Sequence, residues 1–285
     1  MQEHARAKIN LSLRVQGRRA DGYHEIESLV TFADAADVLF ASPEEELSLS
    51  VTGPFAAQLA GEPENLVLRA AMALQSFAGP PRGARLILEK NLPVASGIGG
   101  GSADAAATLR ALIRLWDIEI DETNLLLTAI ELGADVPVCL QSQTAMMRGI
   151  GERLAPVGNL PSFWMVLANP RITISTTDIF QKLNAPSLDA HTQNDAVPEF
   201  KDFESLLDWL KHNPNDLQAS AISIAPIIAD VLWVLDETTN CRLARMSGSG
   251  ATCFALYARE EEARSAAQKL RSAEPNWWVA VSGCG

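Results

Sequence analysis

The stretch Leu92-Pro93-Val94-Ala95-Ser96-Gly97-Ile98-Gly99-Gly100-Gly101-Ser102-Ala103-Asp104 decides how this chain is read. Four glycines in the five positions 97 to 101 remove side chains where a ligand can meet the backbone. Successive N–H groups of such a segment can point inward as an anion-binding nest. Directly after it, Ala103 to Trp116 is rich in alanine and leucine and has high helix propensity. A helix that begins at Ser102 turns the positive end of its dipole toward the glycines, where a phosphate would sit. The Ser102 hydroxyl is a further ligand for a phosphate oxygen or a metal ion. The plain alternative is a flexible turn with Ser102 as the helix cap. So many glycines before so strong a helix favour phosphate binding. Two familiar loops are excluded. No lysine follows the glycines as in GxxxxGK, and GxGGGS misses the third glycine of GxGxxG.

Outward from this loop, strand and helix signals are mixed. Ala84 to Glu89 alternates as a strand, and Asn65 opens a helix through Leu68, Ala71, Leu74 and Gln75. Glu25 to Phe32, Asp37 to Ala41 and Glu46 to Val51 read as strands. Ala7 to Val15 alternates with Ile9, Leu11, Leu13 and Val15 on one face and Lys8, Asn10, Ser12 and Arg14 on the other. Arg19-Ala20-Asp21-Gly22 is a turn.

Downstream, Asp121 or Thr123 caps a helix that ends near Gly133. Phe163 to Ala168 is a buried strand, Asn169-Pro170 a turn, and a helix starts near Thr177. Glu199 to Leu210 is amphipathic, and Asp216 and Pro226 lie near helix starts. Ala251 to Ala258 is a strand after a second glycine-rich turn, Glu260 to Leu270 a charged surface helix, and Trp277 to Val281 a last strand. This order predicts an α+β fold rather than a doubly wound parallel sheet. The proline-rich turn from Pro156 to Pro161 predicts a boundary, giving domains 1–157 and 158–285.

Composition narrows the function classes. The chain has 285 residues, 47% of them hydrophobic, enough for one large core or two modest ones. Charged residues are 20% of the chain, and no low-complexity segment suggests disorder. The polar start, Met1 to Asn10, predicts no signal peptide. Ala221 to Leu235 is too short and too interrupted, by Pro226 and Asp230, to span a bilayer, and reads as buried helix. Cys139, Cys241, Cys253 and Cys284 form no CxxC pair, which predicts reduced thiols and a cytoplasmic setting. A net charge of -12 opposes nucleic acid and anionic membrane as partners. It also requires any phosphate site to be locally basic. Arg6, Lys8, Arg14, Arg18 and Arg19 near the start permit that.

With these segments in view, a resemblance becomes specific. Pro-x-x-x-Gly-x-Gly-Gly-Gly-Ser-x-Asp resembles the second motif of the GHMP kinases, and Ser247-Gly248-Ser249-Gly250-Ala251 resembles the third. Ala7-Lys8-Ile9-Asn10-Leu11, Arg19-Ala20-Asp21-Gly22-Tyr23-His24 and Gly133-Ala134-Asp135-Val136-Pro137 narrow the match to one branch. That branch phosphorylates a cytidine-diphosphate-linked methylerythritol in the non-mevalonate isoprenoid pathway. The segments run in family order over nearly the whole chain.

The resemblance implies a two-domain fold, with a ribosomal S5 domain 2-like N-terminal domain and a ferredoxin-like C-terminal one. It implies ATP as phosphoryl donor with Mg2+, and a monomer or homodimer. It places catalysis on Lys8 and Asp135. The ATP site falls on Pro93, Val94, Ala95, Ser96, Gly97, Ile98, Gly99, Gly100, Gly101, Ser102 and Ala103, with Asn65 and Lys90 near the purine and ribose. Substrate binding falls on Asn10, Tyr23, His24, Thr176 and Phe180, with Tyr23 stacked on the cytosine ring, His24 at its edge and Phe180 on the other face. No metal ligand is marked beyond Ser102.

The chemistry of the residues agrees, because attack on a γ-phosphate needs a carboxylate at the hydroxyl and a cation near the developing charge. In isolation Lys8 reads as a solvated strand lysine, Asp135 as a turn residue, Asn65 as a helix cap and Lys90 as a strand-end lysine. Another GHMP kinase of the homoserine or mevalonate type, a non-catalytic nucleotide-binding regulator and an RNA-binding protein are the alternatives. Arg19 to His24 speaks against the first, intact Lys8 and Asp135 against the second, and the net charge against the third.

Overall fold

The computed structural model describes residues 1–59, 65–79, 82–158, 160–188 and 196–284. Residue 159, inside the predicted boundary turn, lies outside them. In chain order the strands are β1 (Gln2–Asn10), β2 (Arg14–Arg18), β3 (His24–Glu44), β4 (Leu47–Thr52), β5 (Gly83–Glu89), β6 (Ala145–Gly149) and β7 (Arg153–Pro156). They continue with β8 (Phe163–Asn169), β9 (Leu243–Met246), β10 (Cys253–Tyr257) and β11 (Trp278–Cys284). The helices are α1 (Leu66–Gln75), α2 (Gly100–Trp116), α3 (Glu122–Leu132), α4 (Val136–Gln141) and α5 (Thr176–Leu183). Then come α6 (Phe203–His212), α7 (Gln218–Ile224), α8 (Ile227–Asp236) and α9 (Glu260–Ala273).

The chain forms two compact units, and it passes between them several times. The first comprises Met1–Lys8, Ala35–Val94 and Gly99–Ser142. In it β5 pairs antiparallel with the end of β3, from Val38 opposite Glu89 to Glu44 opposite Gly83, and parallel with β4. Ala84, Leu86 and Leu88 alternate inward along β5, as period-2 patterning requires. Helix α2 packs against α1 and α4. Its alanines 103, 105, 106, 107 and 111 are buried, and small side chains let its neighbours approach closely.

The second unit comprises Ile9–Asp34, Ala95–Ile98 and Gln143–Gly285. There β2 and β6 pair antiparallel with the first half of β3, and β7 with β6. A four-stranded antiparallel sheet runs β11-β8-β10-β9. Its first strand in the chain thus lies between the last and the third, the ferredoxin-like order. Val166, Ala168, Ile228, Val231, Leu235, Ala255, Ala267 and Leu270 form its core with α8 and α9. The α+β architecture expected from the sequence is the one found.

Local differences have local causes. The predicted strand from Ala7 to Val15 is interrupted after Asn10. Leu11 N and Ser12 N both donate to Leu29 O, at 2.8 and 3.4 Å, and the Ser12 hydroxyl accepts from Leu29 N at 3.0 Å. Two consecutive donors on one carbonyl end the ladder. The separate strands predicted around residues 25–32 and 37–41 are one strand of 21 residues. Ala221 to Leu235 is not one buried helix but two, α7 and α8, because Pro226 cannot donate to a continuing helix. Only one side is buried, through Ala221, Ile228, Val231 and Leu235, while Trp233 is exposed. The helix predicted from Ser102 begins at Gly100, which brings the glycines themselves into its first turn.

Candidate active site

In the first unit, the first turn of α2 has no side-chain cap. The N-cap is Gly99, with φ 63°. The first-turn N–H groups of Gly100, Gly101 and Ser102 have no acceptor within the helix, as at any helix start. A Cβ on Gly99 would lie 3.3 Å from Lys8 Cβ and 3.9 Å from Asp135 Oδ2. Glycine is therefore favoured at this position by its positive φ, and a side chain there would press on Lys8.

The same geometry puts the loop against the two residues expected to do chemistry. Lys8 Nζ and Asp135 Oδ2 are 2.7 Å apart. The lysine side chain is 5% exposed and the carboxylate 33%, so the aspartate is the member a solute can reach. Asp135 stands at the N-cap position of α4, yet its side chain makes no capping bond. Pro137, at the start of that helix, leaves one fewer N–H to cap. The carboxylate is thereby left for Lys8.

Lys90 has different surroundings. Its ammonium is buried and donates to Asp37 Oδ2 at 2.5 Å and Asp104 Oδ2 at 2.6 Å. It lies 3.3 Å from where a Gly100 Cβ would stand, directly behind the first turn of α2. Asp37 Oδ1 also accepts from Asn91 N and Leu92 N, so the strand end before the glycine loop is held to the same carboxylate. Asp104 Oδ1 has no partner among the described residues. Burial pushes the Asp104 carboxyl up to about 8; the Lys90 charge pulls it back and Asp37 pushes it further up. Burial lowers the Lys90 ammonium, but the two carboxylates more than offset this and hold it above its usual value. Two carboxylates on one cation in a buried site favour keeping a proton on Asp104. Asp37 and Asp104 did not stand out as a pair in the sequence. The usable signal was a carboxylate in the middle of an apolar strand.

Asn65 accepts from Val67 N at 2.9 Å and caps α1. Val94 N donates to Gln58 Oε1 at 3.4 Å, and Ala103 is buried. Ser102 is half-buried in the first turn of α2. Among the described residues no group of three or more His, Cys, Asp or Glu side chains is arranged to hold a metal ion.

In the second unit, residues 95–98 meet the other glycine-rich turn. A Cβ on Gly97 would lie 2.5 Å from both Gly250 N and Ser247 O. Ser247 donates its hydroxyl to Gly97 O at 3.0 Å, and Thr252 N donates to Ser96 O at 3.0 Å. Gly97 is thus small because backbone packs on backbone there, which the sequence does not reveal. Asn10 N donates to the Ser247 hydroxyl at 3.1 Å, and Asn10 Nδ2 to Ser28 Oγ at 2.7 Å. Asn10 Oδ1 is buried without a partner among the described residues, an acceptor left open.

Tyr23 follows a pinned turn. Tyr23 N donates to Asp21 Oδ1 at 3.1 Å, Arg19 N donates to Tyr23 O at 2.7 Å, and Arg19 pairs with Asp21 at 3.1 Å. The Tyr23 side chain is 60% exposed, so it contributes nothing to the core. His24 stacks on Phe180 with ring centroids 4.7 Å apart and planes at 27°. Burial and then the Arg18 charge hold the His24 imidazole below its usual value. A neutral imidazole offers one donor and one acceptor. The Thr176 and Ser249 hydroxyls are 2.8 Å apart, which ties the start of α5 to the third glycine motif.

The chain matches known proteins along nearly its whole length. The pattern described as GHMP kinases N terminal domain matches residues 65–143, and that described as GHMP kinases C terminal matches residues 195–276. The 4-diphosphocytidyl-2-C-methyl-D-erythritol kinase of Parvibaculum lavamentivorans is 55% identical over 99% of this chain and 98% of its own. That of Bradyrhizobium diazoefficiens is 48% identical over 97% of this chain and 95% of its own. A crystal structure of 4-(cytidine 5'-diphospho)-2C-methyl-D-erythritol kinase superposes with TM-score 0.79 at 36% identity, covering 100% of both chains. A homoserine kinase from Cytophaga hutchinsonii shares the fold, with TM-score 0.66 at 17% identity over 100% of this chain and 94% of its own. The fold and the matched domains are those of a GHMP small-molecule kinase. Within that class, the chain belongs to the 4-diphosphocytidyl-2-C-methyl-D-erythritol kinase family.

Proposed function

We propose that the chain transfers the γ-phosphoryl group of ATP to the 2-hydroxyl of 4-diphosphocytidyl-2-C-methyl-D-erythritol, giving the 2-phosphate and ADP in the non-mevalonate isoprenoid pathway. The observation that carries this reading is the Lys8–Asp135 pair, at 2.7 Å, beside the Gly99 backbone. In this reading Asp135 orients the hydroxyl or takes its proton. The hydroxyl oxygen attacks the γ-phosphorus and the bond to the β–γ bridging oxygen breaks. ADP leaves with that electron pair, and Lys8 stabilises the charge on the phosphoryl oxygens.

The segment from Pro93 to Ala103 forms the ATP side, with the N–H groups of Gly100 to Ser102 on the phosphates. Asn65 and Lys90 act on that side by fixing the start of α1 and the floor under Gly100, a role supported by their contacts. The Ser102 hydroxyl would be this chain's ligand for a Mg2+ ion bound with the nucleotide. The donor set fits a metal held mainly by substrate phosphates, since that ion usually keeps few protein ligands beside ATP. When bound, it neutralises charge on the phosphates. Tyr23, His24 and Phe180 take the cytosine ring, and Asn10 and Thr176 bind polar groups of the same substrate. The open Asn10 Oδ1 and the exposed Tyr23 ring support this assignment. Domains 1–157 and 158–285, and the cytoplasmic setting that the cysteine pattern predicts, belong to the same proposal.

A coupled ADP-release assay tests the reaction, run with the cytidine-diphosphate substrate beside homoserine and mevalonate. Turnover is expected with the first alone. Preference for either of the others would reassign the substrate.

A further inference from the structure

Arg110, in the middle of α2, has no place in the mechanism above, yet its guanidinium joins the two elements that carry Lys8 and Asp135. On the β1 side, Nε donates to Glu3 Oε2 at 2.8 Å and Nη2 to His4 O at 3.1 Å. On the α4 side, Nη1 donates to Cys139 O at 3.0 Å and Leu140 O at 3.4 Å. Lys8 lies four residues beyond His4 on the same strand, and Asp135 one turn before Cys139. The flanking residues Leu109 and Ala111 are fully buried, so the fork stands on a fixed base.

Helix α4 is too short to hold its own orientation. Its six residues form little more than one turn, and its last carbonyls have no partner within the helix. Arg110 supplies that partner as a cation at the helix C-terminus, where the dipole favours it. A planar fork with fixed donor directions sets distance and angle together, which a flexible ammonium does not. Glu3 is secured in turn by Arg114, its second partner.

We propose that Arg110 is a positioning residue that holds β1 and α4 at the separation needed for the Lys8–Asp135 pair. The proposal rests on the reading that this pair performs the transfer. It requires that loss of the fork slows the chemical step while both binding sites are kept.

The test uses the full chain with Arg110→Met, Arg110→Lys and Arg110→Ala, beside Asp135→Asn and the Arg110→Met/Asp135→Asn double variant. Arg110→Met and Arg110→Lys are expected to lower kcat by roughly ten- to a hundredfold, the scale of a small misplacement of reacting groups. The KM values for ATP and the cytidine-diphosphate substrate should stay within about threefold, since ground-state binding is untouched. Added guanidinium ion, well below denaturing concentration, should restore part of the Arg110→Ala turnover, an effect that general stabilisation of the fold does not produce. In the Asp135→Asn background, Arg110→Met should cost little more, because the two act as a unit. Normal kcat in both Arg110→Met and Arg110→Lys, beside a slow Asp135→Asn, overturns this proposal alone. Full multiplicative loss in the double variant also overturns it. Near-normal turnover of folded Asp135→Asn overturns the reading beneath and this proposal with it.

Discussion

Asp135 occupies a helix N-cap position, but its carboxylate is directed to Lys8 rather than to the helix N–H groups. The proposed catalytic role of Asp135 rests on that pairing, and neither residue reveals it alone. Asp135→Asn keeps the shape and removes the charge, and Lys8→Met keeps most of the stem and removes the cation. Each is expected to lower kcat by roughly 100-fold or more, with much smaller changes in either KM, as read by steady-state kinetics on folded protein. The double variant should lose less than the product of the two. Tyr23 offers the complementary case. It is exposed, so Tyr23→Ala should leave thermal stability unchanged. Loss of one stacking partner should cost about 1–3 kcal/mol of substrate binding, seen as a higher KM for the cytidine-diphosphate substrate with ATP little affected. A rise in the ATP KM instead would move Tyr23 out of the base site.

Among the elements, α2 carries most of the proposed function, because its N-cap and first two residues are glycine and its fifth residue is a buried carboxylate. Gly99→Val would force a branched side chain onto φ 63° and against Lys8. ATP affinity and turnover should both collapse while circular dichroism stays native. Unchanged ATP affinity would remove the first turn of α2 from the phosphate site. Asp104 supplies a pH test. Its folded pKa is raised to about 8, whereas an unfolded aspartate titrates near its ordinary value of 3.8. Between these values the folded chain holds a proton that the unfolded chain has lost. Stability from this group is therefore complete below the lower value and declines as pH rises toward the upper one. Asp104→Asn keeps an acceptor for Lys90 and cannot ionise. Urea unfolding from pH 5 to 8 should show a flatter stability profile in the variant than in the parent. An unaltered slope would mean that Asp104 is already ionised in the folded chain.

The whole molecule is less divisible than its sequence suggests. The predicted boundary near residue 157 falls between the two matched family segments, yet the second unit also includes residues 9–34. Arg245, buried in β9, donates to Leu11 O at 2.7 Å, and Arg14 pairs with Asp216 at 3.2 Å. Leu13 joins the core under the four-stranded sheet. Expressed alone, residues 158–285 would lose these partners and leave the Arg245 charge with one carbonyl fewer. Burial already lowers that guanidinium to about 10. The fragment is expected to melt well below the intact chain, by several degrees or more, since each kcal/mol shifts the midpoint of a domain this size by roughly 4 °C. A fragment that melts cooperatively at the parent temperature would establish it as an independent domain.

Local rules carried much of this structure. Glycine spacing before a strong helix marked the turn into α2, alternation marked β5, and a buried apolar segment marked β8. Asp121 indeed caps α3, accepting from Asn124 N at 2.8 Å. Such signals are legible because backbone conformation and one-sided burial act over a few residues. The motifs in their order also marked the family. Tertiary structure decided what no local rule encodes. It brought Asp135 to Lys8 across 127 positions, enclosed Lys90 between Asp37 and Asp104, and pressed Gly97 onto Gly250. It also joined the strands at 25–32 and 37–41 into one and interrupted the strand after Asn10. Each of these depends on which distant group fills the next few ångströms, and a sequence period carries no information about that.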